Sequence, residues 1–242
     1  MEKKSSVSSQ REKGERFVEL HRGDPFVIPN PFDVGSAREL ERLGFAALTT
    51  TSSGFAWTLG KEDGETTVGE VVAHVGAIAA ATSVPLAVDL ENHVDGVSRV
   101  AEAGAVGASI EDWDGERLYP LEAAVARVRE AADAAGSMSH PFVLVGRAEN
   151  YIRGVDDLDD TIARLQAYAD AGADCLYAPG LRTPEQVRTV CSAVAKPVNV
   201  LLLGGLTARD CFDAGAQRVS VGGALTWAAR DALVASARQL LQ

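Results

Sequence analysis

The sequence predicts one α/β domain folded as a (β/α)₈ TIM barrel. Eight short apolar runs alternate with eight amphipathic stretches along the chain of 242 residues. Nearly continuous apolar runs of this length are typical of parallel strands that are buried on both faces. Glycine follows three predicted helices, in Ala103-Gly104-Ala105, Ala171-Gly172-Ala173 and Ala214-Gly215-Ala216. It can end each helix there in a left-handed conformation, just before the next strand.

The order of the predicted elements is strictly alternating. The strands are predicted at residues 26–30, 46–51, 85–91, 105–111, 142–149, 174–178, 197–203 and 218–222. The helices are predicted at residues 34–43, 68–82, 94–103, 121–135, 157–171, 183–194, 207–214 and 224–241. Eight such units close naturally into a barrel. A doubly wound open sheet is the alternative, and the absence of Gly-x-Gly-x-x-Gly after the first run disfavours it.

Composition limits the classes of partner. Residues 1–14 (MEKKSSVSSQREKG) have no hydrophobic period and are predicted to form a disordered head, which leaves residues 15–242 for the barrel. The formal net charge is −11 and no basic stripe is present, which argues against a nucleic-acid partner. No apolar stretch is long enough to span a membrane, and the N-terminus does not resemble a signal peptide. We therefore expect a cytoplasmic protein without a membrane partner.

Charged and amide side chains gather where the predicted strands end. Asp89 and Glu91 end strand three, Glu111 ends strand four, Arg147 lies on strand five and Asn199 on strand seven. Active sites of such barrels are built at this end of the strands. Capping of the following helix explains one carboxylate but not the whole set. Oxygen ligands crowded on neighbouring strands predict a site for a hard cation, Mg²⁺ or Mn²⁺.

Other candidate groups give weaker signals. Ser52, Ser53 and Gly54 follow strand two and offer hydroxyl and unhindered N–H groups, which is typical of an anion-binding loop. Of the histidines, His93 lies close enough to the predicted mouth to reach a substrate. The cysteines have neither metal-binding nor disulfide spacing, so we interpret them as core thiols: Cys175, Cys191 and Cys211.

Eight segments, in this order, resemble the isocitrate lyase/phosphoenolpyruvate mutase superfamily over nearly the whole chain from Phe26 onward. They are IPNPFDVGSARELERLGFAALTTTSSG, LGKEDG, PLAVDLE, GAVGASIEDWDG, VGRAEN, AYADAGADCLYAPG, PVNVLL and RVSVGG. The resemblance implies a Mg²⁺-dependent barrel that acts on α-oxo or α-hydroxy acids. It also implies cleavage or formation of a C–C or P–C bond beside a carboxylate, through a pyruvate-enolate-like species.

The resemblance further implies roles on the substrate side of the site. Ser52, Ser53 and Gly54 would hold the substrate carboxylate and oxyanion. Asp63 matches the acidic residue of the loop after strand two and, with Ser53 and Arg147, would carry the catalysis. Arg147 would pair with a substrate carboxylate, for which its forked guanidinium is well suited.

On the metal side, the resemblance implies that Asp89 binds Mg²⁺ directly and that Glu91 and Glu111 hold metal-bound waters. Asn199 would complete the far wall. Glu91 stands where the family usually has Asp, which suggests a rearranged metal shell.

The sequence departs from the family in the loop after strand four. The segment Trp113–Pro120 is short and lacks the Lys-x-Cys-Gly-His motif that gates isocitrate and methylisocitrate lyases, which argues against those two activities. Glu149 and Asn150 also replace the usual Thr-Asp after the arginine. So short a loop is expected to close poorly over a substrate.

The sequence predicts a Mg²⁺-dependent lyase that cleaves a C–C bond in an oxaloacetate-like or 2-hydroxy dicarboxylic acid. Two alternatives stay open. One is a phosphonate enzyme, either a phosphonomutase or a relative that cleaves phosphonopyruvate. The other is a non-catalytic barrel that binds an oxoacid or a protein partner.

The last predicted helix indicates assembly. An apolar stripe runs along it from Ala224 to Leu241 and needs to be buried. The helix could cover its own barrel, which would suffice for a monomer. The resemblance favours exchange of this helix between paired subunits, so we expect a homodimer or homotetramer.

Overall fold

The computed structural model describes residues 9–241 and contains eight parallel strands. The strands are β1 (Phe26–Val27), β2 (Leu48–Thr49), β3 (Leu86–Asp89), β4 (Gly107–Glu111), β5 (Val143–Arg147), β6 (Cys175–Tyr177), β7 (Val198–Leu201) and β8 (Arg218–Ser220). The sheet order is β1-β8-β7-β6-β5-β4-β3-β2. Between β1 and β2 the Thr49 amide donates to the Pro29 carbonyl at 3.1 Å, which joins the two ends of the sheet. The predicted barrel is confirmed.

Helices connect the strands on the outside of the barrel. They are α1 (Gln10–Leu20), α2 (Val34–Arg42), α3 (Ser52–Thr58), α4 (Val68–Ala81), α5 (Val97–Glu102), α6 (Leu121–Gly136), α7 (Leu158–Asp170), α8 (Pro184–Ala193), α9 (Ala208–Asp213) and α10 (Ala224–Gln239). Short 3-10 turns cover Val94–Gly96 and Tyr151–Arg153. Each of the eight predicted helices is present, and α1 and α3 were not predicted. No helix in residues 9–241 is both long and apolar enough to cross a bilayer.

The predicted disordered head is wrong for residues 10–14, which lie in α1; residues 1–8 are outside the described part of the chain. Ser9 caps α1 through a capping box with Glu12, so the helix has a defined start despite its polar sequence. One face of α1 is anchored by side chains that find partners distant in the sequence. Gln10 donates to the Ala101 carbonyl at 2.6 Å and Lys13 to the Thr82 carbonyl at 2.7 Å.

The same helix closes the bottom of the barrel. Phe17 is fully buried and belongs to an apolar cluster with inward-facing strand residues such as Phe26, Val106 and Val143. Burying a side chain of this size contributes about 2–3 kcal/mol. Ala87 and Val145 belong to the same cluster, whereas polar side chains follow at the other end of the strands. The barrel interior is therefore apolar beneath a polar C-terminal mouth.

Helix α10 differs from the other helices because it hardly packs on its own barrel. Of its sixteen residues, only Thr226 is buried. Leu233 is 61% exposed and Val234 is 40% exposed, and just beyond the helix Leu240 and Leu241 are almost fully exposed. An apolar stripe exposed along a helix needs another surface to cover it.

Candidate active site

A cavity of about 140 Å³ opens at the C-terminal ends of the strands. Its lining is mostly polar and consists of Asn30, Thr49, Thr50, Thr51, Ser52, Ser53, Asp63, Asp89, Ser109, Arg147, Tyr177, Asn199, Leu201, Arg218, Ser220, Gly222 and Gly223. A wider surface groove of about 550 Å³ lies elsewhere, near Arg11 and His140. Because barrel chemistry is built at the C-terminal strand ends, we assign the smaller cavity as the site.

Arg147 is the centre of the charged groups at this mouth. Its Nη1 lies 3.3 Å from Asp89 Oδ1, its Nη2 lies 3.3 Å from Glu111 Oε2, and its Nε lies 2.5 Å from Glu149 Oε1. The guanidinium also lies 5.2 Å from the centroid of the Tyr177 ring. These contacts fix the orientation of the planar Arg147 guanidinium, which is engaged through each of its nitrogens. Arg147 and Asp89, both predicted from the sequence, are indeed brought together.

Two charged partners at the mouth were missed as site residues. Arg153, on the 3-10 turn after β5, lies 3.5 Å from Glu111 Oε1 and 2.9 Å from Glu149 Oε2. Glu149 is fully buried between Arg147 and Arg153. For Glu149 the available signal was a charged residue at the end of an apolar run, in Arg-Ala-Glu-Asn, whereas nothing in the sequence pointed to Arg153.

The mouth carries more negative than positive charge. Burial, with repulsion from Asp89, raises the pKa of Asp63. Burial raises the pKa of Glu91 to about 7, and Asp89 and Asp63 add to the rise. Burial also raises the pKa of Glu111 above its ordinary value. Such an environment favours uptake of a proton or of a cation.

Of the predicted metal set, Asp89 lines the cavity, whereas Glu91 and Glu111 are not part of its lining. Both Glu111 oxygens face arginines, and no three His, Cys, Asp or Glu side chains within residues 9–241 form a ready metal site. Glu149 shares Arg147 and Arg153 with Glu111. Mg²⁺ in enzymes is often held by one or two carboxylates plus waters. Asp89 and Glu91 meet that requirement in chemistry, and their excess negative charge fits a divalent cation.

Glu91 reaches this position through a strained backbone. Its φ of 50° makes it the one non-glycine residue with positive φ in the described chain. Long side chains are rare in that conformation, which costs about 1–3 kcal/mol. The turn lets the Glu111 amide donate to the Glu91 carbonyl at 2.9 Å, while the Glu91 carboxylate accepts from the Gly64 amide. His93 Nε2 lies 3.8 Å from Glu91 Oε2, at the edge of the mouth.

Ser52, Ser53 and Gly54 form the first turn of α3 and not the predicted loop. Ser52 and Ser53 line the cavity, and the Ser52 hydroxyl hydrogen-bonds Asp63. Gly54, also predicted to bind substrate, does not line the cavity, and its amide donates to the capping Thr51 Oγ1 at 3.4 Å. A Cβ at Gly54 would lie 2.4 Å from Thr226 Oγ1, so glycine is needed for close packing of α3 against α10.

Asn199 lines the cavity, as predicted, but both ends of its amide are already engaged. Its Nδ2 donates to Ser220 Oγ at 3.0 Å and its Oδ1 accepts from Arg218 Nε at 2.9 Å. Asn199 therefore positions its neighbours on β8 as well as forming the wall.

The short segment after β4 is a tight hairpin. Trp113 and Leu118 form an antiparallel bridge, and the Asp114 amide donates to the Arg117 carbonyl at 3.0 Å. Arg153 stacks over the Trp113 ring at 4.7 Å and ties the hairpin to the mouth. A turn closed by its own hydrogen bonds is poorly suited to swing over the cavity.

The raised pKa of Glu91 predicts a pH dependence of folding in the metal-free protein. An acid whose pKa is higher in the folded state (about 7) than in the unfolded chain stabilises the fold at low pH. That contribution, roughly 2 kcal/mol, should be lost as pH rises from about 5 to 7. Urea unfolding in EDTA measures it. Glu91→Gln should reduce this loss of stability, to which Asp63 and Glu111 also contribute, whereas exposed Glu122→Gln should not; a wild-type profile in Glu91→Gln would refute the assignment.

Known proteins share the sequence profile and the fold of this chain. The sequence profile described as phosphoenolpyruvate phosphomutase matches residues 17–241. A crystal structure from Burkholderia cenocepacia J2315, described provisionally as a lyase or mutase, is 44% identical with a TM-score of 0.93, covering 96% of this chain and 89% of that one. A second, described provisionally as a phosphonomutase, is 31% identical with a TM-score of 0.90, covering 96% and 99%.

A relative with a named activity extends the comparison. The 2-methylisocitrate lyase of Halalkalibacterium halodurans is 27% identical over 208 residues, which are 78% of this chain and 67% of that protein. The match to the family profile covers almost the entire described barrel, including each strand that forms the mouth. The chain therefore belongs to the phosphoenolpyruvate phosphomutase family, within the superfamily of lyases and mutases that its sequence motifs resemble.

Proposed function

We propose that this enzyme is a Mg²⁺-dependent lyase that cleaves a C–C bond in an oxaloacetate-like or 2-hydroxy dicarboxylic acid. The observation that carries the proposal is the convergence of Asp63, Asp89 and Arg147 on one small polar cavity. A cavity of about 140 Å³ suits a metabolite of a few carbon atoms and not a large cofactor. Relatives named as lyases support the reaction class.

The residues divide the chemistry between them. Asp63 would accept a proton from the substrate hydroxyl or an attacking water, since its raised pKa brings it nearer to neutral pH. The electrons of the breaking C–C bond then form an enolate beside the carboxylate, and the proton on Asp63 is available to neutralise that enolate. Arg147 would orient a substrate carboxylate, and Ser53 would donate a hydrogen bond to the developing oxyanion.

The residues that would hold Mg²⁺ are Asp89 and Glu91, where the cation would polarise the substrate oxygens and stabilise negative charge. Glu111 keeps Arg147 and Arg153 in place. Among the described cysteines, Cys175, Cys191 and Cys211 lie outside the cavity lining, so we assign no acid to a thiol.

A phosphonate enzyme is the second candidate. It is favoured by the 31% identity to a structure described provisionally as a phosphonomutase, which this chain matches over almost its whole length. The hydroxyl groups of Ser52 and Ser53 and the charge of Arg147 would serve a phosphonate as well as a carboxylate.

Turnover assays separate the two candidates. Purified protein with Mg²⁺ is incubated with oxaloacetate and 2-hydroxy dicarboxylic acids, and pyruvate, glyoxylate and oxalate release is followed. In parallel, ³¹P spectra follow phosphonopyruvate. Cleavage of a dicarboxylate that stops with EDTA supports the lyase. Conversion of phosphonopyruvate alone supports the second candidate, and no turnover with either class would favour a non-catalytic oxoacid-binding barrel.

We also propose that α10 is exchanged between paired subunits, because its apolar stripe is uncovered in the single chain. Light scattering should give a mass of two or four times 25.4 kDa. Val234→Asp should lower the mass to that of a monomer, whereas Leu43→Asp, at an exposed leucine at the end of α2, should leave it unchanged. A wild-type mass of one chain would contradict the exchange.

A further inference from the structure

A second arginine lies in the cavity, deeper than Arg147. Arg218 is the first residue of β8, is only 3% exposed, and lines the cavity. The strand register relates it to the mouth: Arg147 pairs with Tyr177, Tyr177 with Asn199, and Asn199 with Arg218. These four paired residues form a row across the sheet, which begins at the last residue of β5 and ends at the first residue of β8. It therefore descends from the mouth into the barrel, with one guanidinium at each end.

The two arginines differ in how their charges are compensated. Arg147 contacts three carboxylates. Arg218 donates from Nε to the Asn199 amide oxygen at 2.9 Å and from Nη1 to His21 Nε2 at 3.1 Å. Within residues 9–241 no carboxylate oxygen lies within 4.0 Å of the Arg218 side-chain nitrogens.

His21 cannot supply the missing negative charge. Its Nδ1 bonds the Phe17 carbonyl at 2.8 Å, which leaves Nε2 as the acceptor for Arg218. Burial, together with the charge of Arg218, lowers the pKa of His21 to about 3, so the ring is neutral at physiological pH. The nearest polar neighbours on the cavity side, Asn199 and Ser220, are neutral as well.

A buried cation without an anionic partner is costly unless it lies where an anionic ligand can supply the counter-charge. Arg218 satisfies this condition because it faces a cavity and not the packed core. Tyr177 and Ser220, whose hydroxyl groups hydrogen-bond each other, add polar groups on the same wall. The lower end of the cavity is thus positive, whereas its mouth is rich in carboxylates.

We propose that Arg218 binds the distal anionic group, carboxylate or phosphonate, of a small dianionic acid whose other end lies at the mouth beside Arg147. This inference rests on the proposed function and names the residue that selects its substrate class. It requires two negative groups on the substrate, and it makes Arg218 the residue that discriminates against monocarboxylic acids. Bidentate contact with a terminal carboxylate or phosphonate is the geometry that guanidinium favours.

Calorimetric titration of the full chain with Mg²⁺ tests this without requiring turnover. The probes are malate and 3-phosphonolactate, which are dianionic or more, and lactate, which lacks the distal group. Wild type should bind at least one of the first two about tenfold or more tightly than lactate, and which of them it prefers identifies the distal group. Arg218→Gln should reduce that preference to about twofold while leaving lactate affinity unchanged.

The outcomes that overturn the proposal are distinct from failure of the lyase assignment. A wild type without a dianion preference, or an Arg218→Gln variant that keeps it or loses affinity for all three probes equally, would overturn it. If Arg218→Gln fails to fold by circular dichroism, the preference is measured in Arg218→Lys, where a fall of about threefold or more is expected and no fall refutes the role. If the preference for dianions depends on Arg218 but no C–C bond is cleaved, the lyase assignment is refuted and the role of Arg218 stands.

Discussion

Replacing Asp89 with alanine should weaken Mg²⁺ binding by more than about a hundredfold and abolish turnover. Asp89 is the carboxylate of the proposed metal pair that lines the cavity, whereas Glu111 is engaged by Arg147 and Arg153. The fold should survive, because the removed charge repels Asp63 and Glu91. We expect the free energy of unfolding to stay within about 1 kcal/mol of wild type.

Calorimetric titration with Mg²⁺ and urea unfolding measure the two effects. Asp95→Ala provides a matched control, since Asp95 is an exposed aspartate on the 3-10 turn just after the site. It should keep both Mg²⁺ affinity and activity. Undiminished Mg²⁺ affinity in Asp89→Ala would refute Asp89 as a ligand, whereas a collapse of stability would assign it a structural role.

Replacing Arg147 with methionine should lower the free energy of unfolding by about 3 kcal/mol and abolish activity. Glu149 is fully buried and Glu111 is 6% exposed, and the variant would leave both with Arg153 as their sole cationic partner. The buried carboxylates would then take up protons more readily. We therefore expect the stability deficit to shrink as pH falls from about 8 to 5.

Urea unfolding across that pH range measures the deficit. Arg117→Met is the matched control, because the side chain of Arg117 is 83% exposed and pairs with Asp114 at 3.4 Å on the hairpin surface. Its loss should change the free energy of unfolding by less than about 0.5 kcal/mol at any pH. A deficit in Arg147→Met that is equally small would mean that Arg153 alone neutralises the cluster.

The barrel and the position of its mouth follow from patterns that are visible in the sequence. Buried parallel strands appear in a sequence as short apolar runs, and each of the eight predicted runs contains a strand in the structure. Polar residues at the ends of those runs stand out against that background, so the sequence alone predicts that Asp89 and Arg147 lie at one mouth. Both signals are local in the chain.

The pairing of the charged side chains at the mouth, in contrast, depends on tertiary contacts and could not be predicted from the sequence. Residues 10–14 of α1 were predicted to be disordered because the contacts that stabilise this helix, such as that of Lys13 with the Thr82 carbonyl, join residues that are distant in the sequence. Glu111 and Glu149 share Arg147 and Arg153, a pairing that the sequence did not predict. Arg218 begins a short strand and gave no signal, since an uncompensated buried cation is recognisable only once its neighbours are known to be neutral. Burial and charge compensation are properties of the assembled site, so no segment of the chain carries them alone.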